Sequence, residues 1–346
     1  MTPPAKPSLR VAAVCVLGRP VATPKQNQPR GQLLAQIVTG IHERGWAKLD
    51  ALVLPGGFYR LPRPVGHLAG PKRLASLTGQ ACLVAARRQL DRLQDRSAGC
   101  LLITGMLADP SDARQRQEQL SIALSTERVV GLSRKLFPTA AEGEGRRQTV
   151  PCAEDYGSSD RLVTLPSGAK AILSACYDLF GLTETPGEAS SRYHAIRALR
   201  TGQKILRMGD NGFKKLRRQC LADWASLLAK EKPDLAIATI HGFERPGLDG
   251  FWQRHGIAAA SAAMQGRFVV GAAHFEDWLP AVEQSTLASI NVPPKHLTAG
   301  TARKAHRLAP KDCIVIEKDG EPVALVRLFE APIRGSGARR RTTPSP

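Results

Sequence analysis

The residue with the clearest chemical potential is Cys176, in the stretch Ala171-Ile172-Leu173-Ser174-Ala175-Cys176-Tyr177-Asp178. A short apolar run, the length of a buried strand, ends abruptly in a thiol, an aromatic and an acid. A cysteine at the C-terminal end of a strand, where the chain turns away, can stand at the surface of a cleft. Backbone N–H groups after the turn can then face whatever the sulfur attacks. The chemistry would be nucleophilic attack on carbon through a covalent sulfur intermediate. The competing reading is a small buried hydrophobe, the usual state of a lone cysteine. His241 and Glu244 are expected in a loop after an apolar strand, where functional residues concentrate. Asp178 suits either chemistry or capping of the turn that follows.

Hydrophobic periodicity supplies the elements that must hold these groups. The turn Pro166-Ser167-Gly168 closes a hairpin between Arg161–Leu165 and the run leading to Cys176. Leu9–Leu17, Leu49–Pro55, Cys100–Met106, Asp234–Ile240 and Phe268–Ala273 read as buried strands. Gln119–Leu124 and Val129–Leu132 read as a strand pair, and so do Cys313–Glu317 and Pro322–Leu328 around Asp319-Gly320. Helical spacing is expected over Gln32–Trp46, Leu74–Leu93, Ser190–Leu206, Phe213–Lys230 and Phe251–Gly266. Pro20–Arg30, Tyr59–Lys72 and Thr139–Asp160 read as loops. Strands interleaved with helices predict an α/β layered fold with a mixed sheet.

Composition narrows the classes. The 346 residues, 42% hydrophobic, suit a globular protein with a substantial core. No apolar run approaches the roughly 18 residues that span a membrane, and the N-terminus has no signal-peptide core, so a cytoplasmic location is expected. The seven cysteines (Cys15, Cys82, Cys100, Cys152, Cys176, Cys220, Cys313) are scattered and form no C-x-x-C pair. That argues against a zinc site or a disulfide framework. The net charge of +19 predicts attraction for anions, nucleic acid or acidic partners, yet no phosphate-binding loop or nucleic-acid motif is present. Part of the charge is local. Residues 192–218 hold nine basic residues against one acid, Asp210, which fits an anionic ligand near the cleft or a solvated basic face.

The order of features resembles the nitrilase, or carbon–nitrogen hydrolase, superfamily over Leu9–Glu330. The resemblance is carried by Leu132-Ser133-Arg134-Lys135-Leu136-Phe137-Pro138, by Gly168 eight residues before Cys176-Tyr177-Asp178, and by the strand–helix–strand that follows. It implies a four-layer α-β-β-α sandwich and hydrolysis of a non-peptide amide- or nitrile-type C–N bond through a cysteine thioester. No cofactor or metal is implied, and a homodimer is. It places the nucleophile at Cys176, the oxyanion-stabilising lysine at Lys135 and a second glutamate at Glu142, with Glu144 as rival. The family's first glutamate, its general base, does not carry over: Pro55 is followed by Gly56. The proton acceptor must then be water, a substrate carboxylate, Glu142, Glu144, Glu244 or His241. The alternative is an impaired scaffold that binds an anionic ligand, a protein or nucleic acid. Expected boundaries are a tail over 1–8, the hydrolase-like domain over 9–330 with an enlarged basic crossover at about 183–230, and a disordered basic tail over 331–346.

Overall fold

Along Ser8–Leu17 (β1), side chains alternate between two separate cores: Leu9, Val11 and Ala13 face one, and Ala12, Val14 and Val16 the other. Such alternation is the two-residue period of a strand buried on both faces. The structure is a computed structural model that describes residues 8–63, 65, 70–110, 115–144, 147–183, 191–297 and 306–333.

After β1 come α1 (Asn27–Glu43), β2 (Ala51–Val53), β3 (Tyr59–Leu61), α2 (Gly70–Thr78), α3 (Ala81–Asp91) and β4 (Leu101–Ala108). Then follow β5 (Glu118–Leu124), β6 (Val129–Arg134), α4 (Ala140–Gly143), β7 (Leu162–Thr164), β8 (Lys170–Ala175) and α5 (Asp178–Gly181). The chain continues through α6 (Ser191–Ala195), β9 (Ala198–Thr201), β10 (Lys204–Arg207), α7 (Phe213–Glu231) and β11 (Leu235–Phe243). It ends with α8 (Leu248–Trp252), α9 (Ala259–Ala263), β12 (Phe268–Phe275), β13 (Ala288–Ser289), β14 (Asp312–Lys318) and β15 (Glu321–Pro332). A π-helical turn, Gln253–Ala258, links α8 to α9.

Two sheets stack. One runs β14-β15-β1-β2-β4-β5-β6, with β3 also on β4; the other runs β13-β12-β11-β8-β7. They join where Cys15–Leu17 pair with Ala273–Phe275. The layer between them takes Val11, Val53 and Ile103 from the first sheet and Leu173, Ile237 and Val270 from the second. Outside the first sheet, α1 buries Leu34, Ile37, Val38 and Ile41, a single helical stripe. Outside the second, α7 buries Phe213, Cys220, Leu221, Trp224 and Leu227. The layers are therefore α-β-β-α with mixed strands, as the resemblance implied.

Several elements differ from expectation. Ser190–Leu206 is not one helix: α6 is short, and β9 and β10 form a hairpin whose two-residue turn starts at Gly202, φ 55°. The positive φ lets glycine close a tight turn that twists with the strands. Leu74–Leu93 is two helices, because Gln80 is extended (ψ 128°) after Gly79. The loop expected at Tyr59–Lys72 contains β3 and the start of α2, and α1 begins inside the loop expected at Pro20–Arg30. Of the two tails, residues 1–7 and 334–346 lie outside the described residues. Ser8 opens β1, and Ala331 and Pro332 close β15. Within the crossover, residues 184–190 lie outside them too.

Much of the crossover's charge is used internally. Arg197 pairs with Glu144 at 2.6 Å, Arg207 bonds Gln148 at 3.0 Å, Arg200 bonds Gln115, and Arg217 lies over the Tyr193 ring at 3.9 Å. Arg197 and Arg207 fasten the two ends of the β9–β10 hairpin to the segment that follows α4. Lys214, Lys215 and Arg218 line an open hollow of about 810 Å³ with Gly209–Gly212.

Candidate active site

Strand β8 is held between β7 and β11, with Ala175 opposite Thr239. Cys176 donates its N–H to the Thr239 carbonyl at 2.9 Å and then turns at φ 51°. A left-handed conformation at a non-glycine residue costs about 1–3 kcal/mol and persists only where the surroundings enforce it. Here β11 holds the N–H, and α5 starts two residues later. The sharp turn takes the chain out of the sheet and leaves Cys176 half-buried.

Lys135 extends β6, donating its N–H to Gln119 O at 2.9 Å. Alternation sends Arg134 to Glu118 and Asp155, each at 3.2 Å, and Lys135 to the opposite side. The Lys135 ammonium, 3% exposed, meets both oxygens of Glu142 at 2.7 Å. Glu142 is placed by a capping box on α4. Its carboxylate accepts the Thr139 N–H at 2.7 Å, and its own N–H donates to Thr139 Oγ1 at 3.2 Å. Gln119 Nε2 adds a bond at 3.0 Å. Burial alone would lower the Lys135 ammonium, but the Cys176 sulfur when it is a thiolate, together with Glu142, outweighs it and holds the group above the ordinary lysine value. Burial would raise Glu142, but the Lys135 charge and hydrogen bond hold it low. Both groups therefore stay ionised.

Asp178 connects the two loops. Its Oδ1 accepts the N–H groups of Leu136 (2.7 Å) and Phe137 (2.9 Å). The Leu136 carbonyl in turn accepts the Tyr156 hydroxyl at 2.7 Å. The backbone after Lys135 is thus tied to the turn that carries Cys176. Burial pushes the Asp178 carboxyl up to about 6, against the pull of Arg161 and the two backbone donors. The sequence left Asp178 between capping and chemistry; its Oδ1 serves as a clamp.

Gly56 lies at the junction of the two sheets, donating its N–H to Ile240 O at 2.9 Å. A Cβ there would meet His241 Nδ1 at 2.7 Å, His241 N at 2.8 Å and Thr239 O at 2.8 Å. No side chain fits, because β11 is too close and the His241 ring fills the space. His241 was expected in a loop. It lies within β11 instead, in phase with Leu235 and Ile237, which face the inner layer. Alternation continued two residues past Thr239 was the signal that could have placed it. It lies two residues along β11 from Thr239, whose carbonyl holds the Cys176 N–H. Both ring nitrogens are shielded from solvent and have no hydrogen-bond partner. Burial, then the Lys135 charge, lowers the imidazole to about 3. Beneath it His274 meets the His241 carbonyl through Nδ1 at 3.0 Å.

The other candidates are elsewhere. Glu144 is exposed and turned to Arg197, and Glu244 is exposed beyond β11. Trp252 packs edge-on against Tyr177 and Phe180. Among the described residues no group of three His, Cys, Asp or Glu could hold a metal, and no helix is long and apolar enough to cross a membrane.

No protein-family model matches the chain, and no curated protein does. Solved structures of similar fold include the amidase from Nesterenkonia sp. AN1, as a double mutant in complex with acrylamide. It is 15% identical, at a TM-score of 0.45, over 94% of this chain and 92% of that one. A single mutant of the Nesterenkonia AN1 amidase, described as from the nitrilase superfamily, is 16% identical at 0.43, over 94% and 90%. An amidase from Nesterenkonia sp. is 14% identical at 0.42, over 93% and 90%.

Proposed function

We propose that this chain is a carbon–nitrogen hydrolase that cleaves a non-peptide amide- or nitrile-type bond through a Cys176 thioester. The observation that carries the reading is the buried Lys135–Glu142 ion pair, whose following backbone Asp178 ties to the turn that carries Cys176. Glu142 keeps this buried lysine charged, and a fixed ammonium can stabilise an oxyanion that develops as sulfur attacks.

For an amide, the Cys176 sulfur attacks the carbonyl carbon after losing its proton. A C–S bond forms and the C=O π pair moves to oxygen, facing Lys135. Collapse breaks the C–N bond, and the nitrogen takes a proton to leave as ammonia or amine. Water then attacks the thioester, releasing the acid and returning a proton to sulfur. The left-handed turn at Cys176 and the Asp178 clamp keep sulfur and ammonium in one geometry throughout. Such positioning is worth several kcal/mol of barrier.

The test is ammonia release from a panel of short aliphatic and aromatic amides and nitriles, with intact-mass detection of an acyl adduct. Turnover should vanish in Cys176→Ala and fall by about 10²-fold or more in Lys135→Met. No ammonia, no adduct and a Cys176 alkylation rate unchanged by Lys135→Met would overturn the proposal.

A further inference from the structure

We propose that His241 is the general base of this site, standing in the space that a side chain at residue 56 would occupy. This rests on the hydrolase reading and deepens it.

The need for a base comes from Cys176 itself. Burial raises its thiol above the ordinary value; Lys135 and the His241 N–H lower it, Glu142 raises it, and burial wins. The resting group is a thiol, so a proton must go somewhere before sulfur attacks. Glu142 is poorly placed to accept it. Both its oxygens are bonded to Lys135, and one also holds the Thr139 N–H while the other holds Gln119. Protonating it would break a buried ion pair. Gly56 has no side chain, and Glu144 and Glu244 are exposed.

His241 meets each requirement. It lies two residues along β11 from Thr239, whose carbonyl holds the Cys176 N–H, and its Nδ1 stands where a side chain at residue 56 would begin. The ring is kept neutral, so a lone pair is available at any ordinary pH. Unlike nearly all buried polar atoms, its two nitrogens are unpaired. Protonating an imidazole beside Lys135 is unfavourable in isolation. In the reaction, however, the proton arrives from Cys176, and the thiolate left behind compensates the imidazolium. The imidazolium then hands the proton to the departing nitrogen. In deacylation the imidazole takes a proton from water and returns it to sulfur, so each cycle ends as it began.

The space for the ring is built by glycine. A Cβ at Gly57 (φ 69°) would meet the His241 ring at 3.4 Å, and Gly105 allows the Gly56 backbone to approach, where a Cβ would come within 2.3 Å of Gly56 Cα. His274 fixes the His241 backbone through its carbonyl. Glycine at residue 56 is therefore one half of an exchange, in which the proton acceptor has moved from one sheet to the facing strand.

The experiment reads Cys176 alkylation by iodoacetamide against pH, in wild type, His241→Gln and His241→Ala, with Cys176→Ala as background. The titratable groups facing His241 are Lys135 after β6, Glu142 on α4, Cys176 after β8 and His274 on β12. Of these, Lys135 and Glu142 stay charged and His274 stays neutral through the range used. With a neutral imidazole as base, the wild-type rate changes little from pH 5 to 8, apart from a shallow step of a few-fold where the Asp178 carboxyl beside the Cys176 turn titrates at about 6. Without it, the rate follows free thiolate and rises about tenfold per pH unit. The variants should be slower by about 10²–10⁴-fold at pH 6–7. Imidazole added to His241→Ala should restore the rate with saturation, while pyrazole, equal in shape but a far weaker base, should not. A variant rate within threefold of wild type, or equal rescue by pyrazole, would overturn the role of His241. The hydrolase reading is judged separately, by ammonia release and its loss in Cys176→Ala.

Discussion

Asp178 offers the sharpest quantitative test of how the site is held. Its Oδ1 is the acceptor for two buried N–H groups, and its Oδ2 has no partner. Asparagine can keep the first arrangement and remove the charge; alanine removes both. Leaving the Leu136 and Phe137 N–H groups unsatisfied costs about 1–3 kcal/mol each, so Asp178→Ala should lose about 4 kcal/mol and loosen the Lys135 loop. The charge has its own signature. In the fold the carboxyl titrates at about 6, against 3.8 ordinarily. The folded state therefore binds the proton more tightly, so its stability advantage is full below 3.8 and is lost as pH rises through 6. At about 1.36 kcal/mol per pH unit, the loss is about 3 kcal/mol. The amide introduced by Asp178→Asn does not titrate. Urea unfolding at pH 4, 5, 6 and 7.5 should show Asp178→Asn gaining about 3 kcal/mol on wild type across that range. Iodoacetamide should still alkylate its Cys176 at nearly the wild-type rate. Parallel stability curves for the two proteins, or an alanine variant within 1 kcal/mol of wild type, would refute both the buried charge and the clamp.

Gly56→Ala should cost about 2–3 kcal/mol by urea unfolding, since two of the three atoms in its way are backbone. Gly79→Ala, with nothing within 4 Å, should fall within about 0.5 kcal/mol of wild type or slightly above it. Lys135→Met and Glu142→Gln should each lose about 3–5 kcal/mol, because either leaves a buried charge alone, and the double variant should lose clearly less than the sum. Glu144→Ala, from an exposed pair, should cost no more than about 0.5 kcal/mol in the same measurement.

The layers were legible because strand alternation is a local property. In β1 Leu9, Val11 and Ala13 go to one core and Ala12, Val14 and Val16 to another, and both sets are apolar. The turn at Cys176 was legible for the same reason: a run of small and apolar residues stops at one point. What escaped the sequence depends on neighbours far along the chain. The β9–β10 hairpin falls within Ser190–Leu206, expected as a helix, but its backbone is set by contacts with residues 144–154. Gly56 reads as the loss of an acid. Only the approach of β11 shows that no side chain fits and that the ring of His241, 185 positions on, is there instead. Asp178 gives the same lesson, since its two backbone partners are more than forty residues upstream.

The pairing of β1 with β15 has a consequence for how the molecule is made. Ser8 lies opposite Pro332 and Val16 opposite Ala324, so one whole edge of the first strand waits for nearly the last. At about 5–20 residues per second, a ribosome takes on the order of 15–60 s to deliver that partner. During synthesis the strand presents nine residues of unpaired backbone, rich in valine and alanine, to any other extended chain. Cys15–Leu17 also anchor β12, the neighbour of the strand that holds Cys176 and His241. Slow translation of the last hairpin, or loss of it, would therefore show first as aggregation of nascent chains and only then as a missing activity.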